Sequence, residues 1–184
     1  MNEKTKKLCL AGLMTALCFV GCQFLSIKIP IGSTATMIHL GNTFCILAAL
    51  LLGGLWGGIC GAVGMGFSDI LNPTYITSTP ITLILKMLMG LIAGGIYKLL
   101  RKKNANEFVS SLVSSAVALV INTILTPVVR SLYNYLVFSK SVDILKLYAA
   151  SSLVTSAITS LITLIAVVLI FTTLKSALKK NKLI

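Results

Sequence analysis

The chain has 184 residues, 57% of them hydrophobic and only 11% charged, and its 16 Lys and Arg against 4 Asp and Glu leave a formal charge of +12. A soluble domain is roughly 25% charged, because charged side chains must cover the surface that apolar ones cannot; this chain lacks that surface, so its solvent is lipid. No basic helix interleaved with stacking aromatics accompanies the positive charge, and nucleic acid is therefore not the partner it implies.

A helix crossing the roughly 30 Å hydrocarbon core needs about 20 apolar residues. Six segments approach or meet that length, which predicts an all-α, six-transmembrane-helix bundle in a single membrane domain over residues 1–184. The first span, 8–27, follows Lys4, Lys6 and Lys7 and is too long and unbroken for a signal peptide, with no small-x-small cleavage site before Lys28. Its Gly12-x-x-x-Ala16 spacing makes a small-residue groove of the kind that serves internal packing or docks another membrane helix. Residues 28–38, with Pro30, Gly32, Ser33 and Thr34, read as an irregular outer loop.

Spans 36–52 and 55–71 are joined by Gly53-Gly54, and the pairs Gly53/Gly57, Gly54/Gly58 and Gly57/Gly61 carry the spacing that lets helix backbones approach closely. The third span carries Asp69, the sole acid inside a predicted span, about two residues before its outer end, and is followed by a second irregular segment running through Asn72, Pro73, Tyr75 and Pro80. Both irregular segments supply material for a lid, since such backbone is tolerated at this depth only when buried or lining a wet cavity.

Span 80–100 carries Lys86. An intramembrane charge is costly unless paired or facing water; the bland reading is an Asp69–Lys86 ion pair, and the functional one is ligand contact by either residue. On span 108–129 and its continuation, Asn122, Thr126 and Arg130 stand at i, i+4 and i+8, with Tyr133 and Asn134 prolonging that face. Amide and guanidinium donors facing one centre suit a polar heteroaromatic or acidic ligand, and a structural role is the alternative. Span 147–174 bears Tyr148, Ser152, Thr155, Ser156, Thr159 and Thr163 on one stripe; the deeper residues, from Ser156 to Thr163, read as helix packing. Tyr75, Tyr133, Tyr135 and Tyr148 form either an interfacial aromatic belt or rings that stack on a ligand.

Eleven cations, on the N-terminus, on the loop from Lys98 to Lys103 and on the C-terminal stretch from Lys175 to Lys182, fall on one side of this topology. By the positive-inside rule that side is cytoplasmic, giving N-in, C-in. Lys28, Lys86, Arg130, Lys140 and Lys146 lie toward the other face. The five cysteines are scattered through the spans and read as small packing residues, with neither a disulfide framework nor a metal spacing.

Enzymatic readings lack parts. There is no Gly-Lys dipeptide for a nucleotide-binding loop and no His and carboxylate cluster for metal. Gly66-Phe67-Ser68-Asp69 has only His39 as a base for intramembrane proteolysis. Binding or transport remains, as a ligand-capturing subunit or as a stand-alone secondary transporter or channel for a small polar solute. No repeat relates the two halves, which disfavours the latter.

Several of these stretches together resemble the substrate-binding S components of energy-coupling factor (ECF) vitamin transporters, the riboflavin-transporter-like group in particular. The resemblance spans nearly the whole chain and rests on Gly12-x-x-x-Ala16, His39-Leu40-Gly41-Asn42, Leu51-Leu52-Gly53-Gly54-x-x-Gly57, the glycine-rich stretch from Gly61 to Asp69, and Thr82-x-x-x-Lys86 followed by Gly90 and Gly94. Gly12 stands where the family has Ala, and Asn42 where many relatives have Asp, the latter pointing to a different substrate.

The resemblance implies a binder of riboflavin, or of another small heteroaromatic vitamin or precursor, in the bacterial cell membrane. It implies no cofactor on this chain, with ATP used by two ATPase subunits, and a transmembrane coupling subunit docked at Gly12 and Ala16. The expected substrate-binding residues are Asn42, Tyr75, Lys86, Asn122, Thr126, Arg130, Tyr133, Tyr148 and Ser152, with no catalytic or metal site.

Overall fold

Apolar runs report where lipid is, and helices end where their backbone hydrogen bonds run out; the two boundaries need not coincide. The computed structural model describes residues 2–31, 34–139 and 141–181. Gly32 and Ser33 of the expected outer loop, and Lys140 and Lys182 of the cation pattern, lie outside the described residues.

Six α-helices account for most of the chain: α1 Glu3–Gln23, α2 Gly41–Leu52, α3 Gly54–Ile70, α4 Thr79–Lys102, α5 Glu107–Phe138 and α6 Val142–Lys180. Helix α1 starts five residues before the predicted span, capped by the Asn2 side chain, which accepts from the Lys4 amide. It ends at Gln23, so residues 24–27 of the predicted span are not helical. Helices α5 and α6 overrun the predicted 108–129 and 147–174 because Arg, Lys and Tyr are adequate helix formers whatever their hydropathy. Helix α5 stops where Ser139 turns left-handed (φ 48°).

Four of these helices, α1, α4, α5 and α6, are long and apolar enough to cross a membrane. Helix α2 has 12 residues, which at about 1.5 Å each is roughly 18 Å and short of a full crossing. The predicted span 36–52 merged this helix with an apolar strand.

That strand corrects the all-α expectation. Ser26–Ile31 (β1) and Thr34–His39 (β2) form an antiparallel hairpin in which Ile29 faces Thr36 and Ser26 faces His39. The clue was the two-residue alternation of Ile27, Ile29 and Ile31, a strand period inside a segment read as loop. Pro30, which has no amide to donate, is tolerated on so narrow a sheet. The second outer segment is partly ordered too, with a 3-10 turn over Ile76–Ser78 leading into α4.

Helix α3 is central, packing against α1, α2 and α4, while α5 joins α4 to α6 and α6 returns to α2 and β2. The glycines explain the closeness. Gly54 and Gly58 meet Gly94 and Gly90 of α4 backbone to backbone, and on the neighbouring face Gly57 and Gly61 meet Ala49 and Cys45 of α2. The predicted grooves of α3 thus serve internal packing. At Gly90 a Cβ would fall on the backbone of Gly58, whereas at Gly95 it would meet nothing within 4 Å. Gly90→Ala is therefore expected to cost about 1–3 kcal/mol through overpacking, and Gly95→Ala to leave the detergent melting temperature unchanged or slightly raised; thermal melts of the two proteins check this.

The three cation-bearing stretches gather at one end. Lys7 lies over the Trp56 ring, Lys175 pairs with Glu107 at 3.0 Å, and the first turns of α1 pack with Leu174 and Leu178 of α6. The hairpin, the 3-10 turn and the α5–α6 connection lie at the opposite end. Cys18, Cys22, Cys45 and Cys60 are buried, as packing residues would be, but Cys9 is exposed.

Candidate functional site

At the hairpin end the bundle encloses a polar cavity. Each wall follows from helical spacing: Asp69 closes α3; Thr82 and Lys86 sit one turn apart on α4; Asn122, Thr126 and Arg130 rise in successive turns on α5; Tyr148, Ser152, Ser156 and Thr159 do the same on α6. Thr36, Met37 and His39 of β2, with Tyr75 before the 3-10 turn, close it from above, and Asn42, Cys22 and Met65 complete the lining.

Two hydrogen-bonded groups organise the charges. Arg130 Nη2 donates to Thr82 Oγ1 at 2.8 Å, and Thr82 Oγ1 donates to Asp69 Oδ2 at 2.5 Å, with the guanidinium 4.0 Å from the same carboxylate oxygen. Deeper in the bundle, Lys86 Nζ donates to Asn122 Oδ1 at 3.3 Å. The expected Asp69–Lys86 ion pair is thus corrected, since the acid's partner is Arg130. The reason lies in register: α4 presents Thr82 at the level of Asp69 and holds Lys86 one turn deeper, buried and aimed at α5.

The cover is tied down as well. Thr36 and Thr155 share a hydroxyl hydrogen bond of 2.7 Å, and the Tyr75 hydroxyl donates to the Thr36 carbonyl at 3.3 Å. Burial pushes the Tyr75 hydroxyl up to about 12, so it remains a neutral donor. His39, on β2 and outside the helices, is lowered to about 3, mainly by burial and then by the nearby Lys86 and Arg130 charges, so its imidazole is neutral at physiological pH.

Eight of the nine predicted substrate-binding residues line this one cavity: Asn42, Tyr75, Lys86, Asn122, Thr126, Arg130, Tyr148 and Ser152. Tyr133 does not; it lies one turn beyond Arg130, past the cavity, packed edge-on against Phe138 at 5.8 Å. Tyr135 is exposed, and Asn134 turns its amide back to the Arg130 carbonyl. Sequence reasoning missed Thr82, whose four-residue spacing from Lys86 was a usable signal, and gave Ser156 and Thr159 to packing. It also missed β2, for which the isoleucine alternation of its partner strand β1 was the available clue. Ser68 donates to Gln23 Oε1 at 2.8 Å and the His39 Nδ1 atom has no partner, so among the described residues Ser68 and His39 are not paired. Among the described residues there is no group of His, Cys, Asp and Glu able to hold a metal ion.

Midway along α1, Gly12 and Ala16 are exposed, and a Cβ built on Gly12 meets nothing within 4 Å. The first half of this small-residue groove is open to the surroundings, while Ala11, Met14 and Cys18 face inward.

Comparison with known proteins places this geometry. No curated protein matches the chain. A solved structure of the S component of a bacterial ECF transporter superposes with a TM-score of 0.62 at 20% identity, covering 96% of this chain and 99% of the other. That similarity shows a shared fold over nearly the whole chain. The family profile described as ECF-type riboflavin transporter, S component, matches residues 2–180. The chain therefore belongs to the ECF-type riboflavin transporter S component family.

Proposed function

We propose that this chain captures a small water-soluble vitamin or precursor, riboflavin or a similar heteroaromatic, at the outer face of the bacterial cell membrane, and delivers it for ATP-driven uptake. The observation that carries the reading is the polar cavity between α3, α4, α5 and α6, walled by buried Asp69, Lys86 and Asn122 and covered by β2 and Tyr75. Buried ionisable groups facing a common cavity inside a membrane bundle are costly, and a ligand able to use them offsets that cost.

In this proposal residues 1–184 form one membrane domain of six spans, α2 and α3 making shorter crossings. Both termini are cytoplasmic, which agrees with the gathering of cations at the end opposite the cavity. A separate transmembrane coupling subunit docks at Gly12 and Ala16, and two ATPase subunits use the ATP. The hairpin is the lid. Because a hydrogen bond contributes about 0.5–1.5 kcal/mol, Thr155→Val, which severs the Thr36–Thr155 link, is expected to speed ligand dissociation roughly 2–12-fold, as measured by chase of bound ligand. An unchanged off-rate would remove the lid role.

The decisive experiment is mass spectrometry of small molecules retained by the detergent-purified protein, combined with a binding panel of vitamins. A flavin, pyrimidine or pyridine bound in stoichiometric amount supports the proposal. An empty cavity with no saturable binding refutes it, as does ion-gradient-driven uptake by this chain alone in proteoliposomes.

A further inference from the structure

The charge balance of the cavity narrows the ligand class. Among the described residues three charged side chains line it: Asp69 on one side of the balance, Lys86 and Arg130 on the other. Asp69 is already engaged, with Thr82 donating to one oxygen and the Arg130 guanidinium 4.0 Å from it. Lys86 has no such counter-ion. Among the described residues no carboxylate lies within ion-pair distance of its ammonium, and its one recorded hydrogen bond goes to the neutral carbonyl oxygen of Asn122. Both residues are deeply buried, at 7% and 5% exposure.

An ammonium has three donors and no acceptor, so two donors remain for whatever enters. Nor does Lys86 snorkel to the surface, the usual relief for an intramembrane lysine. A lone buried cation is among the costlier features a fold can retain, and removing one partner of a buried pair costs several kcal/mol for the same reason. Four buried polar atoms without a partner are also on the cavity wall: Arg130 Nε, Asn42 Oδ1, Thr159 Oγ1 and His39 Nδ1. They suit the edge of a polar ring. The phenols of Tyr75 and Tyr148, both buried, supply flat apolar surface beside them.

We infer that the ligand is a flat ring bearing one negative charge, such as a heteroaromatic carboxylate, and that Lys86, held by Asn122, is its counter-ion. This rests on the binding-subunit reading above and narrows it. A neutral ring would leave the cavity with one uncompensated positive charge, and a cationic one would add a second. A single anion brings the balance to zero and takes up the free donors of Lys86.

Isothermal titration of the full-length protein in detergent with three matched pairs tests this: nicotinate against nicotinamide, orotate against uracil, and 4-pyridoxate against pyridoxine, with riboflavin as a neutral reference. For at least one pair the acid is expected to bind about 10–100-fold more tightly than its neutral partner, the range expected for a charge-assisted hydrogen bond. Lys86→Met and Asn42→Asp, which remove the excess charge in opposite ways, should each abolish that preference. Lys86→Met should melt no lower than the parent protein because it removes a buried unpaired charge, so loss of preference would not reflect unfolding.

Riboflavin or another neutral compound binding more tightly than every acid would overturn the anion assignment and leave the importer reading standing. An acid preference that survives Lys86→Met would overturn the role of Lys86. No binding by any compound overturns this inference, and an empty cavity in the mass spectrum would then remove the underlying reading as well.

Discussion

Arg130→Met is expected to weaken ligand binding by about 100- to 5,000-fold and also to lower the melting temperature. The guanidinium ties α5 to both α3 and α4: it donates to Thr82 of α4 at 2.8 Å and lies 4.0 Å from Asp69 of α3. Truncating one partner of a buried ion pair costs about 3–5 kcal/mol, chiefly by leaving the other charge uncompensated. Asp69 is only 3% exposed and would retain Thr82 alone.

Loss of binding and loss of stability are therefore entangled in the single variant, and a second change separates them. Arg130→Met combined with Asp69→Asn removes both charges together, so the melt should recover while binding stays lost. Recovery of binding in the double variant would assign Arg130 a purely structural role. Arg130→Lys should not substitute, since a compact ammonium on a shorter stem does not bring a donor to the place that Nη2 holds beside Thr82 and Asp69.

Gly12→Leu is expected to leave ligand affinity within about twofold and to abolish ATP-dependent uptake when the protein is reconstituted with a coupling module. The reasoning is steric. A Cβ at Gly12 meets nothing within this chain, so folding and the distant cavity are unaffected. A leucine there fills the groove that Gly12 and Ala16 leave open, and small residues matter at membrane helix interfaces because they let backbones approach. Binding measured in detergent and uptake measured in proteoliposomes give the two readouts. Undiminished uptake would remove the docking role from this face of α1.

Much of the candidate site was legible because helical periodicity projects residues onto faces. Asn122, Thr126 and Arg130 share a face by spacing alone, as do Tyr148 and Ser152, and all five reach the cavity. Tyr133 obeys the same periodicity and still misses it, because period gives direction around a helix and not the depth at which the cavity ends. The pairing of Asp69 was misjudged on related grounds. Depth below the membrane surface placed Lys86 within reach, but the turn of α4 that faces α3 carries Thr82, and neighbouring helices decide that facing.

The hairpin shows another limit. Its alternating isoleucines lie beside an apolar helix, and a window tuned to lipid-spanning lengths absorbs β2 into α2. The family resemblance, by contrast, is borne out by the family match over residues 2–180.

What the sequence determined by itself is the solvent, the helical class and the sidedness of charge, because each depends on composition and local order along one dimension: 57% hydrophobic residues, long apolar runs, and eleven cations in three stretches. Only the tertiary structure decided which polar groups meet. The Arg130, Thr82 and Asp69 chain, the Lys86 bond to Asn122 and the Thr36 link to Thr155 each join residues far apart in sequence. Such contacts depend on helix rotation and depth, which close packing of many small residues sets collectively, with Gly58 against Gly90 as the plainest example. The +12 of the chain thus divides by position: most of it lies at the end opposite the cavity, and among the described residues Lys86 is the cavity charge with no carboxylate within ion-pair distance.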